Sequence, residues 1–269
     1  MMRITKRAML ALGVAAALAG GGVPAMAEGV LKVGAYPANP PWQFKNESGA
    51  FEGFEVDIVN EIAERMGMTT DIQAFDFKAL FVASASRRVD MVISSLTITN
   101  ERLESQSFTQ PYFQGALGVG VRADSDISGV ADFEGKRIGS IATSFPENWV
   151  KEREDELAYR AYNSYDTVAN MLTDLRSGRV DAVVNDIVGL RYAFTQMEGL
   201  EVAEEIVTGE QFAMMMPKGS DKLEQVNQII SDMKTDGTMN ALHEKWFGVP
   251  AAPDSLTLTP MDVPTSVDG

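Results

Sequence analysis

Ser86-Arg87-Arg88-Val89-Asp90-Met91-Val92-Ile93-Ser94-Ser95 closes a helical pattern, turns on two basic residues and enters an apolar run. The same layout returns in Ser177-Gly178-Arg179-Val180-Asp181-Ala182-Val183-Val184-Asn185-Asp186. A short apolar run bounded by turn residues reads as a strand buried on both faces. The two copies read either as one αβ unit present in each of two lobes or as a chance match between two ordinary turns. The strand ends are chemically complementary, which favours the first reading. One delivers the hydroxyls of Ser94 and Ser95, the other the carboxylate of Asp186.

Outward from the first copy, residues 30–36 alternate as a strand. Phe54, Ile58, Ile62 and Met66 then recur at helical spacing, with Gly67 as the stop. Residues 71–75 predict a strand, 78–86 a helix and 89–94 a buried strand. The order β-α-β-α-β predicts a mainly parallel sheet with helices on both faces and a ligand crevice at the strands' carboxyl ends. Around the second copy, 136–141 predict a strand, 146–153 a helix, 159–163 a strand, 166–177 a helix and 180–185 a strand. Residues 212–216 predict a return strand, and two amphipathic helices follow at 221–235 and 238–246. Residues 250–269 are rich in breakers and predict a loosely held tail.

The ends and the composition bound the compartment. Arg3, Lys6 and Arg7 precede an apolar run at 8–19, too short for a bilayer, and Ala25-Met26-Ala27 supplies a small-residue cleavage pattern. Residues 1–27 therefore predict a secretory signal peptide cut before Glu28. Its removal takes away three basic residues and moves the net charge from −15 to −18. Such acidity argues against a nucleic-acid partner. The absence of cysteine excludes disulfides, thiolate metal sites and a lipid-modified N-terminal cysteine. One histidine, His243, excludes a multi-histidine metal site and predicts only a solvated surface position. The expectation is a periplasmic monomer with no cofactor.

A zwitterionic amino acid needs a cation and donors for its carboxylate, acceptors for its ammonium and a pocket for its side chain. Ser94, Ser95, Thr97 and Arg102 follow a strand end in one short segment, and an arginine fork can hold a carboxylate bidentately. The alternative is that Thr99 caps a short helix and Arg102 is a surface residue. Asp186 could accept from an ammonium or cap the helix that follows it. Tyr36, Trp42 and Phe77 could wall a side-chain pocket or belong to the core. Trp42, after Pro40-Pro41, reads as the least core-like of the three.

Four segments carry a family resemblance: Gly53-Phe54-Glu55-Val56-Asp57-Ile58, residues 89–102, Phe108-Thr109-Gln110-Pro111-Tyr112, and residues 236–248. Together they resemble the family 3 bacterial extracellular solute-binding proteins, the polar amino-acid receptors similar to those for histidine, lysine/arginine/ornithine and glutamine. The resemblance implies a type II periplasmic binding protein fold: two α/β lobes joined by a two-strand hinge. It places lobe 1 at 28–114 and 211–249, lobe 2 at 115–210 and a tail at 250–269. It also implies capture of an amino acid for the membrane permease of an ABC importer, without catalysis. By the same resemblance Ser94, Ser95 and Thr97 contact the α-groups, Arg102 clamps the carboxylate, Asp186 takes the ammonium and Phe77 packs on the side chain. The second-lobe carboxylate turn falls on Thr143-Ser144 or on Ser144-Phe145. Basic amino-acid and glutamine receptors carry an acid where this chain has Tyr36, so a neutral side chain is expected here. An aromatic box for a quaternary or cyclic zwitterion such as ectoine or a betaine is the variant reading. An enzyme similar to the cyclohexadienyl dehydratases is the rival from another class.

Overall fold

The structure, a computed structural model, describes residues 29–267. The expected signal peptide and its cleavage point lie outside the described residues. Two five-stranded mixed sheets dominate. In the first, Gly29–Ala35 lies between Met68–Ala74 and Met91–Ile93, both parallel to it; Met215–Pro217 pairs antiparallel with Met91–Ile93 and with Gln106–Phe108, the edge strand. In the second, Arg137–Ile141 lies between the parallel strands Ala161–Tyr165 and Ala182–Asp186; Leu117–Arg122 pairs antiparallel with Ala182–Asp186 and with Leu200–Ile206, the edge strand. Side chains alternate across the first sheet as a period of two demands. Met91 and Ile93 join a core cluster with Leu31 and Phe54, while Val92 joins another with Leu80 and Phe108.

The repeated Val-Asp turn is a shared physical device. The Asp90 N–H donates to the Lys32 carbonyl at 2.8 Å, and the Asp90 carboxylate accepts from Lys32 N–H at 2.9 Å. Asp181 does the same to Arg137, with both bonds at 2.8 Å. Each aspartate thus fastens the start of its own strand to the neighbouring one. Arg87 (φ 55°) and Gly178 (φ 72°) occupy the same left-handed position before it. The chance-match reading of the two segments gives way to one unit used twice.

The central elements of both units form as expected, with ends shifted by a few residues. The helix Phe54–Arg65 buries Phe54, Ile58 and Ile62 on one stripe. Gly53 before it is obligatory: φ is 136°, and a Cβ there would meet the Trp42 carbonyl oxygen at 2.2 Å. The pattern gave no sign of a small three-stranded sheet, Ala38–Asn39, Gln43–Lys45 and Phe51–Glu52, nor of the strand Leu200–Ile206, whereas the helix that Asp186 could cap is present as Ile187–Gln196. Chain segments connect the two sheets at Phe113–Gln114 and Gln211–Phe212, which pair antiparallel.

The tail departs from expectation. Thr257 is buried, Met261 N–H donates to Gln110, and Asn100 exchanges two hydrogen bonds of 2.9 Å with the Val267 backbone. The buried Lys234 ammonium donates to the carbonyls of Pro111 and Thr259. Backbone polar groups meeting fixed partners hold a segment that lacks hydrophobic periodicity. His243 is likewise only half-exposed, in edge contact with Phe54 and stacked on Phe113.

Candidate functional site

A cavity between the two sheets is lined by Tyr36, Asn39, Phe77, Ser94, Ser95, Thr97, Arg102, Ser144, Phe145 and Asp186, together with Leu117, Ile141, Pro146, Val168, Asn185, Glu210 and Phe212. It collects the carboxyl ends of the two buried strands, as the α/β rule requires. On the first side, Ser94 and Ser95 follow Met91–Ile93 and are held from behind. Both oxygens of the buried Glu55 accept from Ser95 N–H at 3.0 Å, and Glu55 also accepts from Tyr112. Burial lifts the Glu55 carboxyl to about 7. Ser95 sits at φ 41°, so Glu55 fixes a backbone turn that few residues adopt unaided. Asn39 donates to the Ser95 hydroxyl at 3.0 Å and Gln43 to the Ser94 hydroxyl at 3.3 Å.

Arg102 is in the cavity wall, not on the surface. Thr99 caps its helix, accepting from Arg102 N–H, while the guanidinium donates to Thr97 O at 2.7 Å and to Thr143 O at 3.3 Å. Its plane lies over the Phe81 ring at 5.1 Å. Thr99 is therefore a helix cap, as the alternative reading had it, while Arg102 stands half-buried in the cavity wall and is not a solvated surface residue. Burial lowers the guanidinium to about 10, opposed by Glu101 and Glu210, so it stays charged at neutral pH. The Thr97 hydroxyl donates to Glu210 at 2.7 Å.

On the second side, Asp186 ends the strand Ala182–Asp186 and starts the helix Ile187–Gln196. Its Oδ2 accepts from Gly189 N–H and from the Trp42 indole, each at 2.8 Å. Its Oδ1 is buried without a protein partner. Cap and cavity acid are thus the same residue. Burial raises its carboxyl to about 6, with the Trp42 and Gly189 bonds opposing. Ser144 caps the helix Phe145–Lys151, and Ser144, Phe145 and Pro146 face the cavity. Thr143 does not line it: its N–H is taken by Glu147 at 2.6 Å and its carbonyl by Arg102.

Trp42 is the residue that sequence reasoning misplaced. It has no exposed surface and packs edge-on against Phe54, Phe113, Phe212 and Phe247. Its ring is core, and only its N–H reaches the site, through Asp186. The prolyl loop is covered by aromatic rings arriving from residues 113, 212 and 247, which no local pattern could announce. Tyr36 does line the cavity. Its hydroxyl accepts from Val168 N–H at 3.4 Å across the cleft, and burial raises its pKa. Sequence reasoning missed Glu210. It is 6% exposed, one oxygen has no partner, and burial lifts it to about 8, opposed by the Thr97 bond. Among the described residues, no group of histidine, cysteine, aspartate and glutamate could hold a metal, and no helix is long and apolar enough to cross a membrane.

The arrangement is a cleft with one arginine, two buried acids that each keep an unpartnered oxygen, Asp186 at a strand end and Glu210 in the connecting segment, and an aromatic wall. The pattern that defines the bacterial extracellular solute-binding proteins, family 3, matches residues 31–249. The chain belongs to that family. It is similar to the L-cystine-binding protein TcyJ of Escherichia coli K12, with 30% identity over 82% of this chain and 83% of that protein. It is 28% identical to the ABC transporter arginine-binding protein 1 of the same organism, over 89% of this chain and 99% of that protein. A solved structure of an ancestral arginine-binding protein bound to arginine matches with a TM-score of 0.78 and 33% identity, covering 82% of this chain and all of that one. An ancestral arginine-binding protein bound to glutamine matches with a TM-score of 0.77 and 33% identity, over 81% of this chain and 98% of that one. Family 3 members are solute-binding proteins and not, as a family, enzymes, and their two-lobed α/β architecture is the one described above.

Proposed function

We propose that this chain is an exported, monomeric periplasmic receptor that captures one α-amino acid and hands it to the permease of an ABC importer. Residues 28–114 and 211–249 would form one lobe and 115–210 the other, moving about the paired segments at 113–114 and 211–212. One observation carries the reading. The half-buried Arg102 guanidinium and the unpartnered Asp186 Oδ1 face a single cavity from opposite lobes, which complements a carboxylate and an ammonium on one small molecule. Ser94, Ser95 and Thr97 would add donors and acceptors beside the carboxylate, and Ser144 and Phe145 would close on it. Ligand contacts to both lobes would stabilise the closed state.

A neutral side chain is the finer part of the proposal. Tyr36 and Phe77 pack with Val168 in one apolar cluster, and Phe77 and Val168 also pack with Ile141 in another, giving an uncharged wall. Asp186 already has two donors on one oxygen, and Glu210, at about 8, is largely protonated at neutral pH. A basic side chain would be buried without an ionised partner, at a cost of several kcal/mol. The ancestral arginine-binding proteins solved with arginine and with glutamine support a framework that takes either kind of side chain, leaving the choice to the wall residues.

The test is a thermal-shift screen of the twenty L-amino acids plus ectoine and glycine betaine, followed by calorimetry on Arg102→Ala. A neutral amino acid should stabilise the protein, and the variant should lose about 2–5 kcal/mol of binding energy, on the order of 30-fold or more in affinity, with its fold retained. Binding by Arg102→Ala within threefold of the parent would remove the carboxylate clamp from the reading. Turnover of prephenate or arogenate would replace the receptor with an enzyme.

A further inference from the structure

Besides the Tyr36 phenol, the ionisable side chains facing the cavity are Arg102, Asp186 and Glu210. With all three ionised the cavity holds one negative charge in excess. A zwitterionic amino acid adds no net charge and leaves that excess buried. Inside a closed cleft an uncompensated charge is costly, and it is removed either by a proton or by a ligand of net charge +1.

Glu210 is built to take either course. Its backbone belongs to the connection between the lobes: its carbonyl accepts from Gly115 N–H at 2.9 Å and from Gln114 Nε2 at 2.8 Å. Those bonds aim the side chain inward, where Oε2 accepts from the Thr97 hydroxyl and Oε1 is buried without a partner. The groups that act on it come from every neighbouring element. Thr97 follows the strand Met91–Ile93, Arg102 lies on the helix Asn100–Ser105, Asp186 ends its strand in the other lobe, and Thr208 lies in its own loop. Arg102 gives it no hydrogen bond; the guanidinium spends its described bonds on the Thr97 and Thr143 carbonyls. Asp186 opposes its ionisation and Arg102 favours it, while burial dominates both.

We propose that Glu210 sets the net charge of the amino acid retained in the cleft. Protonated, its free oxygen is a hydrogen-bond donor in a cavity balanced for a zwitterion. Ionised, it completes a site for an amino acid with a cationic side chain. The proton comes from solvent and returns to it; Asp186, lifted to about 6, also titrates at the low end of this range, in wild type and Glu210→Gln alike. This inference rests on the amino-acid-receptor reading and adds a pH-dependent choice of substrate class, with the acid on the hinge and not at the Tyr36 position.

L-arginine and L-citrulline are the probes, because they share shape and α-groups and differ by one side-chain charge. Their affinities, measured by calorimetry at pH 6 and pH 8.5, should shift at least tenfold toward arginine as the pH rises. At pH 8.5 wild-type protein should take up about one more proton with citrulline than with arginine, read from two buffers of different ionisation heat. Effects of the shared α-amino group cancel in the ratio. Glu210→Gln should favour citrulline at both pH values and flatten the ratio to within twofold. A wild-type ratio that does not move, or one that moves equally in Glu210→Gln, overturns the inference while leaving the receptor reading intact. If no L-amino acid binds, the receptor reading fails, and the ligand-free protein still decides the role of Glu210. The carboxyl sits at about 8 when folded against an ordinary 4.5, so its ionisation costs stability as pH rises through that window. The melting temperature of Glu210→Gln should therefore gain on wild type between pH 5 and pH 8, and a flat difference overturns the proposal.

Discussion

Trp42→Phe separates packing from binding at one residue. The indole N–H donates to Asp186 Oδ2 at 2.8 Å, from the turn before the strand Gln43–Lys45 to the end of the strand Ala182–Asp186. Under the proposed hinge closure, that bond forms only when the lobes meet. The ring contacts are with Phe54, Phe113, Phe212 and Phe247, on the Trp42 side of the cleft and its connecting segments. A void left by the smaller ring therefore weakens open and closed forms alike, while loss of the N–H weakens closure alone. A hydrogen bond to a buried carboxylate contributes about 1.5–3 kcal/mol. At 1.4 kcal/mol per factor of ten, the variant should bind the amino acid found by screening roughly 10- to 150-fold more weakly. Calorimetry gives the affinity, and thermal melting without ligand gives the packing loss separately. A double-mutant cycle with Asp186→Asn should show the two losses to be non-additive, since both remove the same bond. Affinity within threefold of the parent would refute the claim that Trp42 orients the cavity acid across the cleft.

Tyr36→Asp should move preference from citrulline toward arginine in the same calorimetric assay; unchanged selectivity would place the side-chain subsite away from Tyr36. Arg87→Gly should stabilise the protein by up to about 1 kcal/mol, because a left-handed backbone costs a non-glycine residue about that much and its counterpart Gly178 avoids the cost. Denaturant midpoints would show it, and a lower midpoint would mean that the Arg87 bond to the Lys218 carbonyl outweighs the strain. Burial lowers the Lys234 ammonium from 10.5 to about 7, so the unfolded chain binds more protons between those values and this group adds stability as pH rises from 7 to 10. Lys234→Met should lose that slope, seen as a melting difference that widens with pH; parallel curves would contradict it.

The parts of the fold that were legible in the sequence are those whose causes are local. The Val-Asp turns could be read because helix end, left-handed turn and buried strand fall within ten residues, and the structure adds why aspartate recurs: its backbone and carboxylate grip the next strand together. Arg102 and Asp186 could be placed because they sit at the ends of those same units. Trp42 and Glu210 could not. Trp42 is buried by rings distant in sequence, and Glu210 stands in a connection whose pattern is that of an ordinary loop. A signal existed for Glu210 in hindsight of chemistry alone: an acid immediately before the return segment Gln211–Phe212 lies where both lobes meet. The tail failed for a related reason, since polar anchoring by Lys234, Gln110 and Asn100 leaves no periodicity.

The two lobes do unequal work with the same unit. The first strand end delivers a turn whose N–H and hydroxyl groups are held by Glu55, Asn39 and Gln43 before any ligand arrives, so the carboxylate side is preorganised within one lobe. The second delivers Asp186, one of whose oxygens is fixed by its own helix N-terminus and, across the cleft, by Trp42. Arg102 reaches back in the other direction to the Thr143 carbonyl. Each charged partner of the proposed zwitterion is thereby tied to the opposite lobe, and weakening either tie should loosen closure even where every direct ligand contact is kept. Binding and closure are then one free-energy change read at two bonds, Trp42 to Asp186 and Arg102 to Thr143, which is why substitutions at Trp42 should register as lost affinity although the residue never touches the cavity.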